Sequence, residues 1–538
     1  MNMSRRRFLK GAALGTASMG ALSAGLLSGC APQNSTEGAS GESNASAEKN
    51  TANDYPVLKQ SSMDAPTESF EGDVVVLGCG PGGIACSTRL AEQGAKVLLV
   101  EKTDKIGGTG TVASGNCYIS LNSKFQLDQG FEADIPAFYE EWLVAVHYHC
   151  DHGILSTYLR NCGETVDWLM DYGFDFEMRE HPAVPGLQGF AYRISQPKKD
   201  SGVREKAYNA MVDKVKEAGG AFHTGCTGTT LILDDDGAVV GLRAERGSDT
   251  VDFMGKAVVI ATGGYAANRE MINEYCKVPL LGRDPVLNNG EGAQMSWAAG
   301  AKKPWNLGIL CVDTRYPIDE NYNTYDTGLR PLGTKSDVLQ VDQLGKRFHS
   351  ESAFWWVPTY GGANAVEYDQ PWIFTIVDQK AMDDLAADNS NVTEDYLESM
   401  IGAGVLFKGD TVEELAAAAG WDPEVFANQF KDYNDLCKAG EDPIFFKPAE
   451  DLVEYGEGPY YAVRLAPTPF GTCGDLCVTT DMEVCGTEPG SVVKGLYAVG
   501  TETVGTMHND YYWALGQTVG WAHTSGRLAG EAIAKSIL

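Results

Sequence analysis

One run, Asp73-Val-Val-Val-Leu-Gly78-Cys-Gly80-Pro81-Gly82-Gly83, constrains this chain more than any other stretch, because Glu101 follows 21 residues after Gly80. An apolar strand that ends in GxGxxG and opens a helix brings backbone N–H groups and the positive helix end to a pyrophosphate, while the later acid accepts from a ribose hydroxyl. Glycine-rich turns also arise for backbone reasons alone, but here strand, helix and acid are all in place. The segment reads as a dinucleotide site on an α/β, Rossmann-like domain.

Further small-residue turns separate a flavin from a nicotinamide dinucleotide. Glu101-Lys102 continues to Gly107-Gly108-Thr109 and Ser114-Gly115, where a flavin needs close backbone approach. Far downstream, the buried-type strand Lys256-Ala-Val-Val-Ile ends in Ala261-Thr262-Gly263-Gly264. Gly495-Leu-Tyr-Ala-Val-Gly500-Thr-Glu502 gives another strand and turn, and Leu515-Gly516-Gln517-Thr518 opens the last helix. In this order the four segments resemble the FAD-binding family of fumarate reductase and succinate dehydrogenase flavoproteins, which includes the 3-oxosteroid dehydrogenases, over about residues 70 to 538. The resemblance implies FAD as cofactor, contacted by the residues just named, with Cys226 among them. It also implies a Rossmann-like FAD-binding domain in two parts, 65–305 and 462–538, around an inserted α+β cap at 306–461 that closes over substrate and excludes water. Within the first part, residues 134 to 172 read as helical, and Asp234-Asp-Asp-Gly237 turns a hairpin between Leu231 and Glu245.

The amino terminus speaks of location. Ser4-Arg5-Arg6-Arg7-Phe8-Leu9-Lys10 precedes a mildly apolar Gly/Ala/Leu stretch and resembles a twin-arginine export signal over residues 1–29. Leu27-Ser28-Gly29-Cys30 resembles a lipobox with Cys30 acylated, which implies a membrane lipoprotein outside the cytoplasm. Residues 30–64, rich in Ser, Asn, Glu, Thr and Ala, read as a disordered tether. With 42 basic against 73 acidic residues, net −31, the chain is a poor partner for nucleic acid or anionic lipid. Thirteen cysteines, most of them single within apolar elements, read as buried free thiols. Cys473-x3-Cys477-x7-Cys485 stands out, but the spacing matches no iron–sulfur ligand pattern, and no metal site is assigned.

Catalysis turns on where the chain departs from its relatives. Fumarate reductases carry an Arg proton donor four residues after the Glu of a GKRFxNE motif; here Gly345-Lys346-Arg347-Phe348-His349-Ser350-Glu351 leads to Trp355. The family's HTxGG histidine is replaced within Phe470-Gly471-Thr472-Cys473-Gly474, and the Arg of HGxNRLGG is absent from His508-Asn509-Asp510-Tyr511-Tyr512-Trp513-Ala514-Leu515-Gly516. The dicarboxylate clamp is dismantled. The replacements resemble the 3-oxosteroid branch, whose LGTKGGL stands against Phe470–Leu476 and whose Tyr, four residues before a Gly, stands at Tyr512 and Gly516. That resemblance implies that the Tyr512 hydroxyl and Gly516 N–H hold a substrate carbonyl oxygen, where two donors stabilise a developing enolate. The branch's Tyr base also falls at Trp355. His349, His508, Asp510 and the His181/Glu180 pair are the remaining polar candidates, and Trp355, Trp356 and Tyr360 read as an apolar wall suited to an aromatic or polycyclic substrate.

The resulting expectation is an enzyme that reduces a C=C bond conjugated to a carbonyl or carboxylate, with hydride from flavin N5 and electrons from a membrane cytochrome or another flavoprotein. Two other readings stay open: a ketosteroid-type dehydrogenase running in the oxidative direction, and a flavoprotein electron carrier.

Overall fold

The computed structural model describes residues 55–111, 117–181, 192–198, 202–276, 287–315, 328–352, 372–507, 514 and 516–538. The twin-arginine and lipobox calls, Cys30, Ser114, Gly115, Trp355, Trp356, Tyr360, His508, Asp510, Tyr512 and Leu515 lie outside the described residues.

Val74–Leu77 is four apolar, mostly β-branched residues, each buried. Such a run suits the middle of a sheet covered on both faces. It pairs in parallel with Val97–Val100 on one side and Ala257–Ile260 on the other, with Val76 opposite both Leu99 and Val259. Ala221–His223, Val492–Ala498 and Glu483–Cys485 complete a six-stranded sheet. Two helices pack on it against one another: Pro81–Glu92, which starts directly after the glycine turn, and the C-terminal Gln517–Ile537. Their approach is close because small residues face it. A Cβ on Gly526 would lie 2.3 Å from the Gly82 carbonyl oxygen, and one on Gly530 3.0 Å from that of Cys86.

A second, five-stranded sheet holds the expected hairpin, Thr227–Leu233 and Val239–Arg246, together with Asp249–Met254, Glu68–Glu71 and Val57–Lys59. Here the tether reading needs correction at its C-terminal end. Val57–Lys59, inside the span read as disordered, pairs in parallel with Leu231–Leu233. Three residues show no periodicity of their own, and only the distant partner makes them a strand. The helical reading of 134–172 resolves into Ile135–Ala145 and His152–Asp171, capped by the Asp134 and Asp151 carboxylates.

Between residues 308 and 473 a further sheet forms from Gly308–Arg315, Tyr460–Cys473, Ile373–Asp378, Leu339–Asp342 and Leu406–Gly409. Helices Val412–Ala419 and Pro423–Ala439 cover it with Trp421, Phe426, Phe430 and Tyr433 over Leu339, Val341 and Phe374, a core separate from that of the nucleotide-binding sheet. Tyr460–Cys473 is one continuous strand that carries the chain from this region back to the flavin-type turns. Among the described residues, no helix is long and apolar enough to cross a membrane.

Candidate FAD site

The five parallel strands of the six-stranded sheet deliver their C-terminal turns to one end, while Glu483–Cys485 runs antiparallel at the edge. Gly78 follows Leu77 with φ +107, a left-handed conformation that favours glycine, and a Cβ there would lie 2.3 Å from the Ala261 carbonyl oxygen. Gly83 is equally constrained: its Cβ would meet the Gly78 carbonyl oxygen at 1.9 Å. Gly80 caps the helix with extended backbone, Pro81 occupies its first turn, and open space lies where a Gly80 side chain would point. Gly82 and Gly83 are therefore packing glycines, whereas Gly80 leaves room for a ligand against the helix N-terminus.

Glu101 ends the neighbouring strand, and its carboxylate accepts from Cys79 N–H at 2.9 Å, Thr103 N–H at 2.8 Å and Thr103 Oγ1 at 2.9 Å. The acid is thereby fixed beside the glycine turn, and an ionised carboxylate with about four acceptor positions still has capacity for a ribose hydroxyl. Gly107 N–H donates to the Cys79 carbonyl at 2.8 Å, and Cys226 N–H to that of Glu101 at 3.0 Å, so both calls belong to this rim through their backbones. Lys102 pairs with Glu291 at 2.9 Å and also reaches the Leu287 carbonyl. Thr109 Oγ1 contacts Asn288 at 3.4 Å, and Gly108 packs on Gly80. Asn288, which the sequence did not single out, holds the Thr262 carbonyl at 3.2 Å and that of Gly263.

On the opposite rim stands Glu502, fully buried, accepting from Gly263 N–H at 2.8 Å and from Thr262 Oγ1. Gly500, at φ +76, is fixed by a bond from its N–H to Ser525 Oγ at 3.0 Å. Beneath lies Asp475, also fully buried, with neither carboxylate oxygen hydrogen-bonded to another of the described residues. A Cβ on Gly264 would come within 3.5 Å of Asp475 Oδ2. Leu476 N–H donates to the Glu502 carbonyl at 2.8 Å, so the two acids ride on stitched backbone segments. Burial, then the Glu502 charge, raises the Asp475 carboxyl well above the usual range, and burial outweighs the two hydrogen bonds to lift Glu502 to about 7. No motif announced this pair. Its one sequence signal is that Asp475 stands where the 3-oxosteroid pattern has the last glycine of LGTKGGL.

The last helix begins at Gly516, φ +92, where a Cβ would lie 2.7 Å from Ile119 N and 2.8 Å from the Tyr118 carbonyl carbon. The glycine is needed for packing on strand Tyr118–Ile119. Immediately after it, both polar atoms of Gln517 and the Thr518 hydroxyl are buried without a partner among the described residues. A dinucleotide with hydroxyl, carbonyl and ring-nitrogen atoms would satisfy such orphans, and they lie at a helix N-terminus, as Gly80 does. The residues fit FAD: Gly80–Gly83 for the pyrophosphate, Glu101 for a ribose, and Thr262–Gly264, Glu502, Gln517 and Thr518 for the polar atoms beyond.

Two catalytic calls are described with their side chains. His349 lies in the region between residues 308 and 473, where its Nε2 faces Gln340 Oε1 at 2.9 Å. Gln340 Nε2 donates to the Gly333 carbonyl and Thr375 Oγ1, so the amide is oriented to accept, and His349 carries its proton on Nε2. Burial, only partly offset by the Glu351 charge, lowers His349 to about 4, and the ring is neutral at pH 7. Glu180 is an exposed acid facing Arg193 at 3.3 Å, while His181 ends strand Phe176–His181 opposite Tyr192. Neither position is brought to the flavin turns by a described contact.

Arg347 of the same motif is engaged through Nε and Nη2, while its Nη1 is buried without a hydrogen-bond partner among the described residues. It chelates Glu351 at 2.9 and 2.8 Å and reaches Asp442 at 2.8 Å, while Lys447 meets Glu351 at 3.3 Å, the Val338 carbonyl at 2.7 Å and the Tyr433 hydroxyl at 2.8 Å. All four charged side chains are buried. This network braces the region between residues 308 and 473, and its arginine is already paired with two carboxylates.

The model of the FAD binding domain family matches residues 73–512. A vinyl phenol reductase of Lactiplantibacillus plantarum is 28% identical over 86% of this chain and 96% of its own. An NADH:acrylate oxidoreductase of Vibrio harveyi is 25% identical over 86% of this chain, which spans about half (50%) of that relative's length. In fold, the chain is similar to the 3-ketosteroid Δ1-dehydrogenase from Sterolibacterium denitrificans, with TM-score 0.71 and 20% identity over 87% of this chain and 100% of that one. FAD is the cofactor, and the protein is a flavin-dependent oxidoreductase. Glycine turn, anchored acid and matched model agree: this chain belongs to the FAD binding domain family.

Proposed function

We propose that the enzyme reduces a C=C bond conjugated to a carbonyl, a carboxylate or a phenol ring in a small, aromatic or polycyclic substrate. The observation that carries this reading is the near end-to-end correspondence with a vinyl phenol reductase, 96% of whose chain is matched. FAD bound at the glycine turns supplies hydride at N5 when reduced. In this reading the Tyr512 hydroxyl and Gly516 N–H hold the substrate's oxygen, and Trp355, Trp356 and Tyr360 line the wall of the pocket. The proton for the second carbon comes from Tyr512 or an ordered water, because His349 is neutral and its N–H is committed to Gln340. Electrons reach the flavin from a membrane cytochrome or another flavoprotein, and the protein is exported by its twin-arginine signal and anchored through Cys30.

The test is anaerobic oxidation of a reduced dye by a panel of vinyl phenols, enones, enoates and fumarate. With Arg347 held by Glu351 and Asp442, two substrate carboxylates would lack that partner in a closed site, a cost of several kcal/mol. Fumarate is therefore expected to have a kcat/KM lower by about two orders of magnitude or more than the best aromatic substrate. Fumarate as the fastest substrate would overturn the reading, and dye reduction by a saturated ketosteroid would favour the oxidative rival carried by the Tyr512–Gly516 spacing. Cys30→Ala should release the protein from membranes, and unchanged retention would remove the anchor.

A further inference from the structure

The flavin site leaves the Cys473/Cys477/Cys485 group unused, and the structure divides it. Cys473 is fully buried, its thiol 3.7 Å from the Asn306 carbonyl. Cys477 and Cys485 are only partly buried. Beyond Leu476 the chain runs out and folds back at Thr479–Met482, where Met482 takes a left-handed φ of +64. Val478 bridges Val484 in antiparallel sense, flanked by Thr479 N–H donating to the Glu483 carbonyl and Cys485 N–H donating to the Cys477 carbonyl, both at 2.9 Å. That bond pattern fixes the register: Cys477 and Cys485 are directly opposite each other as a hydrogen-bonded cross-strand pair.

Residues so paired have Cα atoms about 5.5 Å apart and side chains on the same face of the ladder. A disulfide spans Cα separations of roughly 4.4–6.8 Å. We propose that Cys477 and Cys485 form a dithiol that closes reversibly to an intramolecular disulfide by exchange with a low-molecular-weight disulfide. The Cys477 thiolate attacks one sulfur of RSSR and expels RS⁻, which takes up a proton. The Cys485 thiolate then attacks the mixed disulfide at Cys477 and expels the second thiolate. The two cysteines are oxidised by two electrons, and RSSR is reduced to two RSH.

Burial and then the neighbouring Cys485 sulfur raise the Cys477 thiol, while Lys302 opposes the rise at both cysteines; Asp151 adds to it at both, and Glu483 at Cys485. Exchange is accordingly faster in mild alkali. Two other thiols are more enclosed. Cys79 and Cys162 are enclosed in the main core, and burial pushes each up to about 12.

Closure would tie a hairpin already stitched to the flavin turns. Ala498 N–H donates to the Met482 carbonyl at 3.1 Å, and Leu476 N–H to that of Glu502 at 2.8 Å. The disulfide thus stiffens the segment that carries Asp475.

The experiment uses the FAD-loaded full chain, incubated with glutathione disulfide and glutathione at stepped ratios, alkylated and mapped by peptide mass spectrometry. Expected are a Cys477–Cys485 cross-linked peptide with loss of both free thiols, reversal by dithiothreitol, and slower amide exchange across residues 477–485. Cys485→Ser should instead hold a stable glutathione adduct on Cys477. The proposal is overturned if both thiols stay alkylatable at a ratio that closes a free peptide of residues 477–485. Stable wild-type adducts that never resolve, or a bond from Cys477 to another cysteine such as Cys150, overturn it equally. Should Cys485→Ser lose its flavin, the wild-type map alone decides.

Discussion

Two buried pairs of acids, one in the cap and one under the flavin turns, meet opposite electrostatic fates. Glu351 and Asp442 are enclosed with Arg347 and Lys447. Burial pushes their carboxyls up, but the Arg347 hydrogen bonds more than reverse it, and Asp442 is held at about 2. Asp475 and Glu502 are equally buried but have no cation in hydrogen-bond contact among the described residues, and both are raised. Burial alone does not decide protonation; the partner does. The cap pair is permanently charged architecture. The flavin-side pair holds a proton that it can lose near neutral pH.

The largest effect is expected from removing the cation of the cap. Arg347→Met leaves Glu351 and Asp442 buried against Lys447 alone, and breaking such a network by one partner costs about 3–5 kcal/mol. Thermal unfolding should drop by many degrees while FAD remains bound in the native protein at low temperature. Loss of FAD without loss of stability would mean that Arg347 serves the cofactor. The acid limb belongs to the same pair. Carboxyls depressed in the folded state stabilise above their unfolded range, near pH 4, and that contribution disappears as pH falls towards 2.

Next in size, and placing the chemistry on the flavin side of the comparison, is Tyr512→Phe. On the proposed role of Tyr512 the ring is kept while one donor to the substrate oxygen is lost, and such a loss typically costs about 3 kcal/mol, roughly a hundredfold in rate, with little change in affinity. Wild-type turnover of the best substrate would return Tyr512 to a packing role.

Gly83→Ala follows. Its Cβ would lie 1.9 Å from the Gly78 carbonyl oxygen, which is backbone and cannot yield without parting helix from strand. Overpacking of this kind costs about 1–3 kcal/mol, and the expected readout is a lower flavin-to-protein absorbance ratio. A variant with full FAD would show that the helix can shift with the cofactor in place.

These positions also mark what was legible beforehand. The glycines of 78–83, Glu101 and the 261–264 turn were readable because backbone geometry dictates residue type there: Gly78 needs its positive φ, and Gly83 has no space for a side chain. The hairpin after Leu231 was readable from its turn residues. Val57–Lys59 was not, since its partner lies more than 170 residues away. Likewise, Arg347 and Glu351 show a spacing of four, but nothing in sequence announces Asp442 and Lys447 as the other half of the brace. The Asp475–Glu502 pair was hidden for a different reason: Glu502 was read as a cofactor contact and Asp475 as one letter of a degenerate glycine motif.

The smallest predicted effect separates the two pairs most sharply, because it has the opposite pH sense. A carboxyl raised in the folded state contributes stability in acid, below its unfolded value of 4.5 for Glu502, and loses it as pH rises through about 7. For Glu502 alone that is on the order of 3 kcal/mol between pH 4.5 and 7. Asp475 adds to the same slope, since it too is protonated in the fold and ionised in the unfolded chain. Asp475→Asn keeps the shape and cannot ionise, so it lacks the ionisation that favours the unfolded wild-type chain as pH rises. Wild type and variant should differ least near pH 5, and the variant should gain on wild type steadily as pH rises to 8. Denaturant midpoints of the FAD-loaded protein at the two pH values measure this. Parallel pH curves for the two proteins would mean that Asp475 is ionised throughout, compensated by a partner that burial conceals, and the contrast between cap and flavin domain would collapse into one rule of paired charges.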